Sequence, residues 1–263
     1  MGGRGAGSGI RGGGISGGGA GGAGGGASGG SGKDALRFER KGGALSEKLR
    51  KALEQRFASG SQIAREIYDH YIPDGGAVKD MRHKDAYYSS YHNRIWMSFL
   101  EDARNPRGIG TTWLHEHGHF VDYNVARQGG LRFSADREFQ LAIIHDVWQY
   151  ESNVARIMNP NGRKTFNAIQ EVARELIQIG DSTNAIQDIF GGVHRDRSYY
   201  DWGHKNVYWT SDETVAVEAA AHMFEAQFGS GKADLMEKYL PTAWKRYNEL
   251  LEIEWKRLKK SIP

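Results

Sequence analysis

The chain contains no cysteine. Disulfide bridges and thiolate metal ligands are therefore excluded, and any bound metal must rely on His and carboxylate side chains. It also lacks an apolar stretch approaching the ~18 residues of a membrane span, and its N-terminal region has no apolar core of the signal-peptide kind. The expectation is no membrane partner and no signal peptide. An excess of one charge is missing too: 35 Lys and Arg face 32 Asp and Glu, for a formal net charge of +3. With no long run of like charge, composition gives no case for a nucleic-acid partner. No internal repeat is visible.

Glycine is abundant but unevenly placed. Of 36 glycines, 19 fall within residues 1–32, a Gly/Ala/Ser tract interrupted only by Met1, Arg4, Ile10, Arg11 and Ile15. Such a segment buries too little apolar surface to offset the entropy of ordering, so residues 1–32 are expected to be a disordered tail. Residues 33–263 read as one globular domain, long enough for a sizeable core.

Within that domain the periodicity is mostly helical. Residues 44–72 place Leu45, Leu49, Leu53, Phe57, Ile63, Ile67 and Tyr71 at helical spacing, with a break at Gly60-Ser61. Two aromatic-rich runs, 86–91 and 94–100, flank His92-Asn93 and predict a strand pair. Thr111 or Thr112 is a candidate cap for a helix reaching about Ala126. Residues 134–158 and 164–179 show broad apolar faces, among them Trp148, Ile157 and Ile177. A short helix is expected over 184–190 and a strong one over 212–228, with one or two helices around Pro241 closing the chain at 232–260. The fold class expected is mainly α with a small antiparallel β-sheet, that is, α+β.

The most informative stretch is His115-Glu116-His117-Gly118-His119, which fits H-E-x-x-H. On a helix, His115 and His119 project from one face a turn apart, where two imidazoles can hold one zinc ion. Glu116 lies about 60° around the helix from His119, placed to act as general base without being a ligand. His117 points to the other side and is expected to be a packed or surface residue. Gly118 leaves room for another backbone beside the site. In a chain with ten His, chance alone would give one such pentapeptide in about 1 case in 40, so corroboration is needed.

Catalytic zinc usually takes three protein ligands and leaves a position for water. A third His in the pattern H-E-x-x-H-x-x-G-x-x-H is excluded, because Asp122 and Val125 stand at those places. Within residues 212–228, Glu218, His222 and Glu225 share one helical face. Glu218 is the candidate ligand, since its neighbours Val215, Val217, Ala219, Ala220 and Ala221 leave a carboxylate little polar company. His222, one turn on, could hydrogen-bond a metal-bound side chain or contact a developing oxyanion. Asp122 is a candidate partner for one imidazole or else a solvated turn residue. His204 and Tyr208 read either as substrate and oxyanion contacts or as loop anchors among Tyr199, Tyr200, Trp202 and Trp209, with Tyr208 the better catalytic candidate. His70, His83, His92, His145 and His194 carry no spacing.

Residues 115–122 (H-E-H-G-H-F-V-D) and 218–224 (E-A-A-A-H-M-F) together resemble the gluzincin metallopeptidases, in particular the lethal-factor-like group. That group runs H-E-x-G-H-x-x-D and later E-x-x-A-E-x-F, so His222 stands where the pattern has a second acid. Asp188-Ile189-Phe190-Gly191-Gly192, Trp202-Gly203-His204 and Tyr208-Trp209 are similar to the equivalent segment of domains fused to phage minor head proteins. The Gly/Ser-rich opening is similar to tailed-phage and prophage proteins. The resemblance spans about residues 85–228. It implies a zincin-like fold, one zinc ion, a protein or peptide substrate and location in the host cytoplasm or the virion. It also implies an antiparallel edge strand at 94–100 lining the cleft, to which an extended peptide would add as a further strand. The function it implies is zinc-dependent endopeptidase activity with Glu116 as base. Two alternatives accompany it: a non-catalytic phage head-assembly protein keeping the fold, and a lethal-factor-like effector toxin.

Overall fold

The computed structural model describes residues 47–72, 78–81, 85–160, 165–200, 202–229 and 231–260. The Gly/Ala/Ser tail expected at 1–32 lies outside them, as does the start of the first expected helix. The chain is mainly helical with a small three-stranded sheet, an α+β arrangement. No described helix is long and apolar enough to cross a membrane.

Helices α1 (Glu47–Ala58) and α2 (Gln62–Tyr71) are separated at Gly60-Ser61, where the Ser61 hydroxyl caps α2 by accepting from the Ala64 N–H. Strands β1 (Val78–Asp80), β2 (Tyr87–Ser89) and β3 (Arg94–Met97) then form a sheet of order β1-β3-β2. The expected strand pair is there: β2 and β3 pair antiparallel with Tyr88 opposite Ile95. Two sequence expectations are corrected. The sheet is mixed, because β1 pairs parallel with β3. And β3 is the central strand, so the edge strand beside the motif helix is β2. Asn93 turns the β2–β3 hairpin at φ 47°, a left-handed value that Asn tolerates better than most residues. It exchanges amide hydrogen bonds with Asn124, which ties the hairpin to the motif helix.

The short α3 (Phe99–Ala103) precedes the motif helix α4 (Thr111–Arg127). Neither Thr111 nor Thr112 caps α4; the cap position is Gly110. The buried Asp102 of α3 does the capping from outside, accepting from the Gly110 and Thr112 N–H groups at 3.0 and 2.9 Å. A carboxylate at a helix N-terminus satisfies otherwise orphaned donors and favours the dipole. The Thr111 hydroxyl is occupied elsewhere, accepting from Arg56 Nη1 at 2.7 Å.

The remaining helices are α5 (Arg137–Met158), α6 (Thr165–Ile179), α7 (Asn184–His194), α8 (Asp212–Ala226), α9 (Lys232–Tyr239) and α10 (Pro241–Lys260). Pro241 divides the last two as expected. In α5 the expected apolar face proves narrower: Phe139, Ile143 and Val147 are buried, whereas Trp148 and Ile157 are 58% and 82% exposed. Buried polar residues fill the face instead. Asp146 accepts from the Ala243 N–H in the first turn of α10, and Glu151 accepts from the Tyr200 hydroxyl at 2.6 Å. Ile177 of α6 is likewise exposed. Helix α7 runs through Gly191 and Gly192, four residues past its expected end.

The core gathers around α4 and α8, the two helices with the most extensive mutual contact. Gly118 makes that contact possible. A Cβ there would lie 2.7 Å from Ala221 Cα and 2.9 Å from its carbonyl oxygen, so any other residue would force the backbones apart. The small side chains of Ala216, Ala219, Ala220 and Ala221 on α8 complete the close fit.

Candidate metal centre

The α4–α8 contact brings three expected ligands to one point. His115 Nε2 and His119 Nε2 each lie 3.4 Å from Glu218 Oε2. Tetrahedral ligands bound at ~2.0–2.1 Å sit about 3.3–3.4 Å from one another, so the spacing suits a zinc-sized ion. At 3.4 Å the contacts are too long for good hydrogen bonds, and Glu218 Oε2 is buried with no hydrogen-bond partner. The two histidine side chains are 11% and 10% exposed and that of Glu218 1%. A buried carboxylate oxygen without a partner, facing two ring nitrogens, could hold a metal ion. The donor set contains only nitrogen and oxygen, in agreement with the absence of cysteine.

The other Glu218 oxygen, Oε1, is held from the loop before α8. The Tyr208 hydroxyl donates to it, and His204 Nε2 lies 3.9 Å away. Both residues are thus part of the site. Their rings stack at 4.3 Å. His204 is anchored on its other side by Asp188 of α7, with Nδ1 at 3.0 Å from Oδ2 and the backbone N–H donating to Oδ1 at 2.8 Å. Gly203 permits this approach: at φ 114° a Cβ would fall 2.2 Å from Asp188 Oδ1. Asp188 also takes His222 Nε2 at 3.3 Å. It therefore binds two histidines at once.

Glu116 is buried beside this cluster, and burial is the main cause raising its carboxyl to about 7; Glu218 adds to the rise, while the His119 charge and the Tyr88 N–H on β2 oppose it. A carboxylate poised near neutrality suits a general base. For His204, burial works against protonation, but the charges of Asp188 and Glu218 win and raise it to about 10. Burial would also raise Glu218 and Asp188, yet the facing imidazoles hold both carboxylates well below the usual range. His115 is pushed well down by burial, with His222 and His119 adding to the effect.

Other expected residues sit further from the point of convergence. Asp122 makes no hydrogen bond to an imidazole: its carboxylate accepts from the Ser134 N–H at 2.9 Å, the Ser134 hydroxyl at 2.6 Å and Arg132 Nε at 3.1 Å. It bears on the site through its charge, which helps raise His119 against the effect of burial. The His222 ring packs against that of His115 at a tilt, centroids 4.3 Å apart, and bonds Asp188 rather than a ligand. His117 is packed away from the site, its ring 4.4 Å from Trp113, with Nδ1 on the Trp113 carbonyl. His70, His92, His145 and His194 take no part in the cluster, and His83 lies outside the described residues.

Sequence reasoning assigned no role to Asp188, although it quoted the segment that begins with it. The adjacency of Gly203 to His204 was the available clue. It also missed Arg56 and Lys232, which meet Glu225 from distant parts of the chain and carry no motif. No protein-family model matches this chain, and no curated protein or solved structure matches it, so a functional reading rests on the geometry of this centre.

Proposed function

We propose that this chain is a zinc-dependent endopeptidase of the gluzincin type, of phage or prophage origin, acting on a protein or peptide. The observation that carries the proposal is the convergence of His115, His119 and the partnerless Glu218 Oε2 at zinc-ligand spacing, with Glu116 buried alongside. His115, His119 and Glu218 would hold the ion. Zinc, when bound, supplies Lewis acidity, lowering the pKa of water and polarising a carbonyl.

The protein groups account for the rest of the chemistry. Glu116, raised to about 7, takes a proton from the attacking water and passes it to the leaving amine. His204, kept protonated by Asp188, carries positive charge on the side of Glu218 where an oxyanion would develop. Tyr208 is engaged with Glu218 and orients that carboxylate. The free edge of β2, whose Tyr88 N–H reaches towards Glu116, offers main-chain hydrogen bonds to an extended substrate.

The closed character of the centre favours a second reading, a head-assembly protein with a structural metal, because the ligands are at most 8% exposed. Metal analysis and peptide-library cleavage separate these readings. The proposal expects about one zinc per wild-type chain and loss of zinc in Glu218→Ala. Full occupancy in Glu218→Ala would overturn the ligand assignment. A zinc-loaded wild type that cleaves no peptide in a broad library would favour the structural reading.

A further inference from the structure

Behind the proposed metal ligands lies a second group of buried polar atoms. His115 Nδ1, His222 Nδ1 and Glu225 Oε2 are each buried with no hydrogen-bond partner. Glu225 Oε2 lies 3.9 Å from His222 Nδ1, and one nitrogen or oxygen of each of the three residues falls within 4.8 Å of the other two. Atoms of three residues no more than 4.8 Å apart can share a point about 2.8 Å from each, which is hydrogen-bond distance. Orphaned buried polar atoms are rare in native proteins, and three converging ones describe a binding site.

The proton inventory identifies the occupant. If His115 Nε2 binds a metal, the neutral ring carries its proton on Nδ1, which becomes a donor. His222 Nε2 faces Asp188 Oδ2 at 3.3 Å and donates to it, leaving Nδ1 as an acceptor. Glu225 Oε2 is a carboxylate acceptor. One donor and two acceptors match one water molecule, which accepts once and donates twice. A second dication fits poorly. Glu225 Oε1 already accepts from Arg56 Nη2 at 3.0 Å and from Lys232 Nζ, so the Arg56 guanidinium balances its charge and would repel a further cation.

We infer that a single buried water is bound between His115 Nδ1, His222 Nδ1 and Glu225 Oε2, and that Glu225 orients the His115 imidazole through it. This rests on the reading of His115 as a metal ligand. A metal-binding His nearly always donates its second N–H to a carboxylate, carbonyl or water, which fixes the ring and its tautomer. Glu225 is thereby a positioning residue. Through it, Arg56 on α1 and Lys232 on α9 are tied to the metal centre.

The test uses the full-length, zinc-loaded protein. A high-resolution crystal structure with anomalous scattering at the zinc edge is expected to show one metal peak, between His115, His119 and Glu218. A non-anomalous water is expected at the second point. The His115 Nδ1 proton should appear by NMR as a slowly exchanging signal that is lost in Glu225→Leu. Zinc affinity should fall 10- to 100-fold in Glu225→Leu. It should change much less in Glu225→Gln, which keeps an acceptor oxygen, and in Lys232→Met, which disturbs only the Oε1 side. An anomalous peak at the second point, or no density there, overturns the inference, as does unchanged zinc affinity in Glu225→Leu. Equal losses in Lys232→Met and Glu225→Leu would reduce Glu225 to a fold-stabilising role and also overturn it. Should Glu225→Leu fail to fold, the wild-type crystal structure and NMR signal decide. A wild type that binds no zinc removes the metal reading and this inference together; bound zinc with no water removes only the latter.

Discussion

Helices α4 and α8 differ from α5 and α6 in what they bury. On α5 and α6 the buried face is mostly apolar and the other meets solvent, with Val172, Ala173 and Leu176 buried and Ile177 outside, and the two acids that α5 buries, Asp146 and Glu151, are each hydrogen-bonded within the fold. On α4 almost every residue from Thr111 to Val125 is buried, including three histidines, Glu116 and Asp122; on α8 Glu218, His222 and Glu225 are buried among alanines. Burying ionisable groups is costly unless they are paired or bound to a cation. The ionisable residues inside the central pair therefore need a partner or a cation, whereas apolar residues outside the peripheral pair need neither.

Substitutions can break or sharpen that contrast, and the largest effect should come from the central pair. Glu116→Gln should lower kcat by about 10²- to 10⁴-fold while zinc content stays at the wild-type level, read by peptide cleavage alongside metal analysis. Equal activity in both proteins would remove Glu116 as base.

Asp188→Asn should come next. In metal-free folded protein burial opposes protonation of His204, but the charges of Asp188 and Glu218 push it up to about 10 from an ordinary value of 6.5. Its pair with Asp188 thus adds stability that is full below about pH 6.5 and lost as pH rises through 10. Thermal melts between pH 6 and 10 should show this alkaline loss in wild type, amounting to a few kcal/mol, and a flatter profile in Asp188→Asn. Parallel profiles would show that Asp188 does not hold the proton.

Gly118→Ala should cost about 1–3 kcal/mol from overpacking against Ala221, lowering Tm by several degrees. Trp148→Ser, on the exposed face of α5, should change stability by no more than about 0.5 kcal/mol. A larger loss at Trp148 than at Gly118 would invert the contrast.

The sequence made much of this legible because the relevant signals were local. The spacing of His115 and His119 follows from one turn of helix, and the alanines around Glu218 were visible as a composition. The break at Gly60-Ser61 and the division at Pro241 follow from backbone chemistry. What failed depended on distant partners. The position of β3 was decided by a three-residue strand, Val78–Asp80, too short for periodicity to register. The cap of α4 came from Asp102, not from a residue at the helix start. The carboxylate of Asp122 went to Ser134 and Arg132, across a turn whose geometry no motif encodes. Arg56 reaches Glu225 across 169 residues of chain, a separation at which spacing carries no information.

The close approach at Gly118 has a consequence for the spacing of the candidate ligands. The observed separations from Glu218 Oε2 are 3.4 Å. Widening them means sliding or lifting α8 away from α4, against backbone already in contact at Ala221. The width of the opening between the two helices is therefore set by the main chain and not by the side chains that line it.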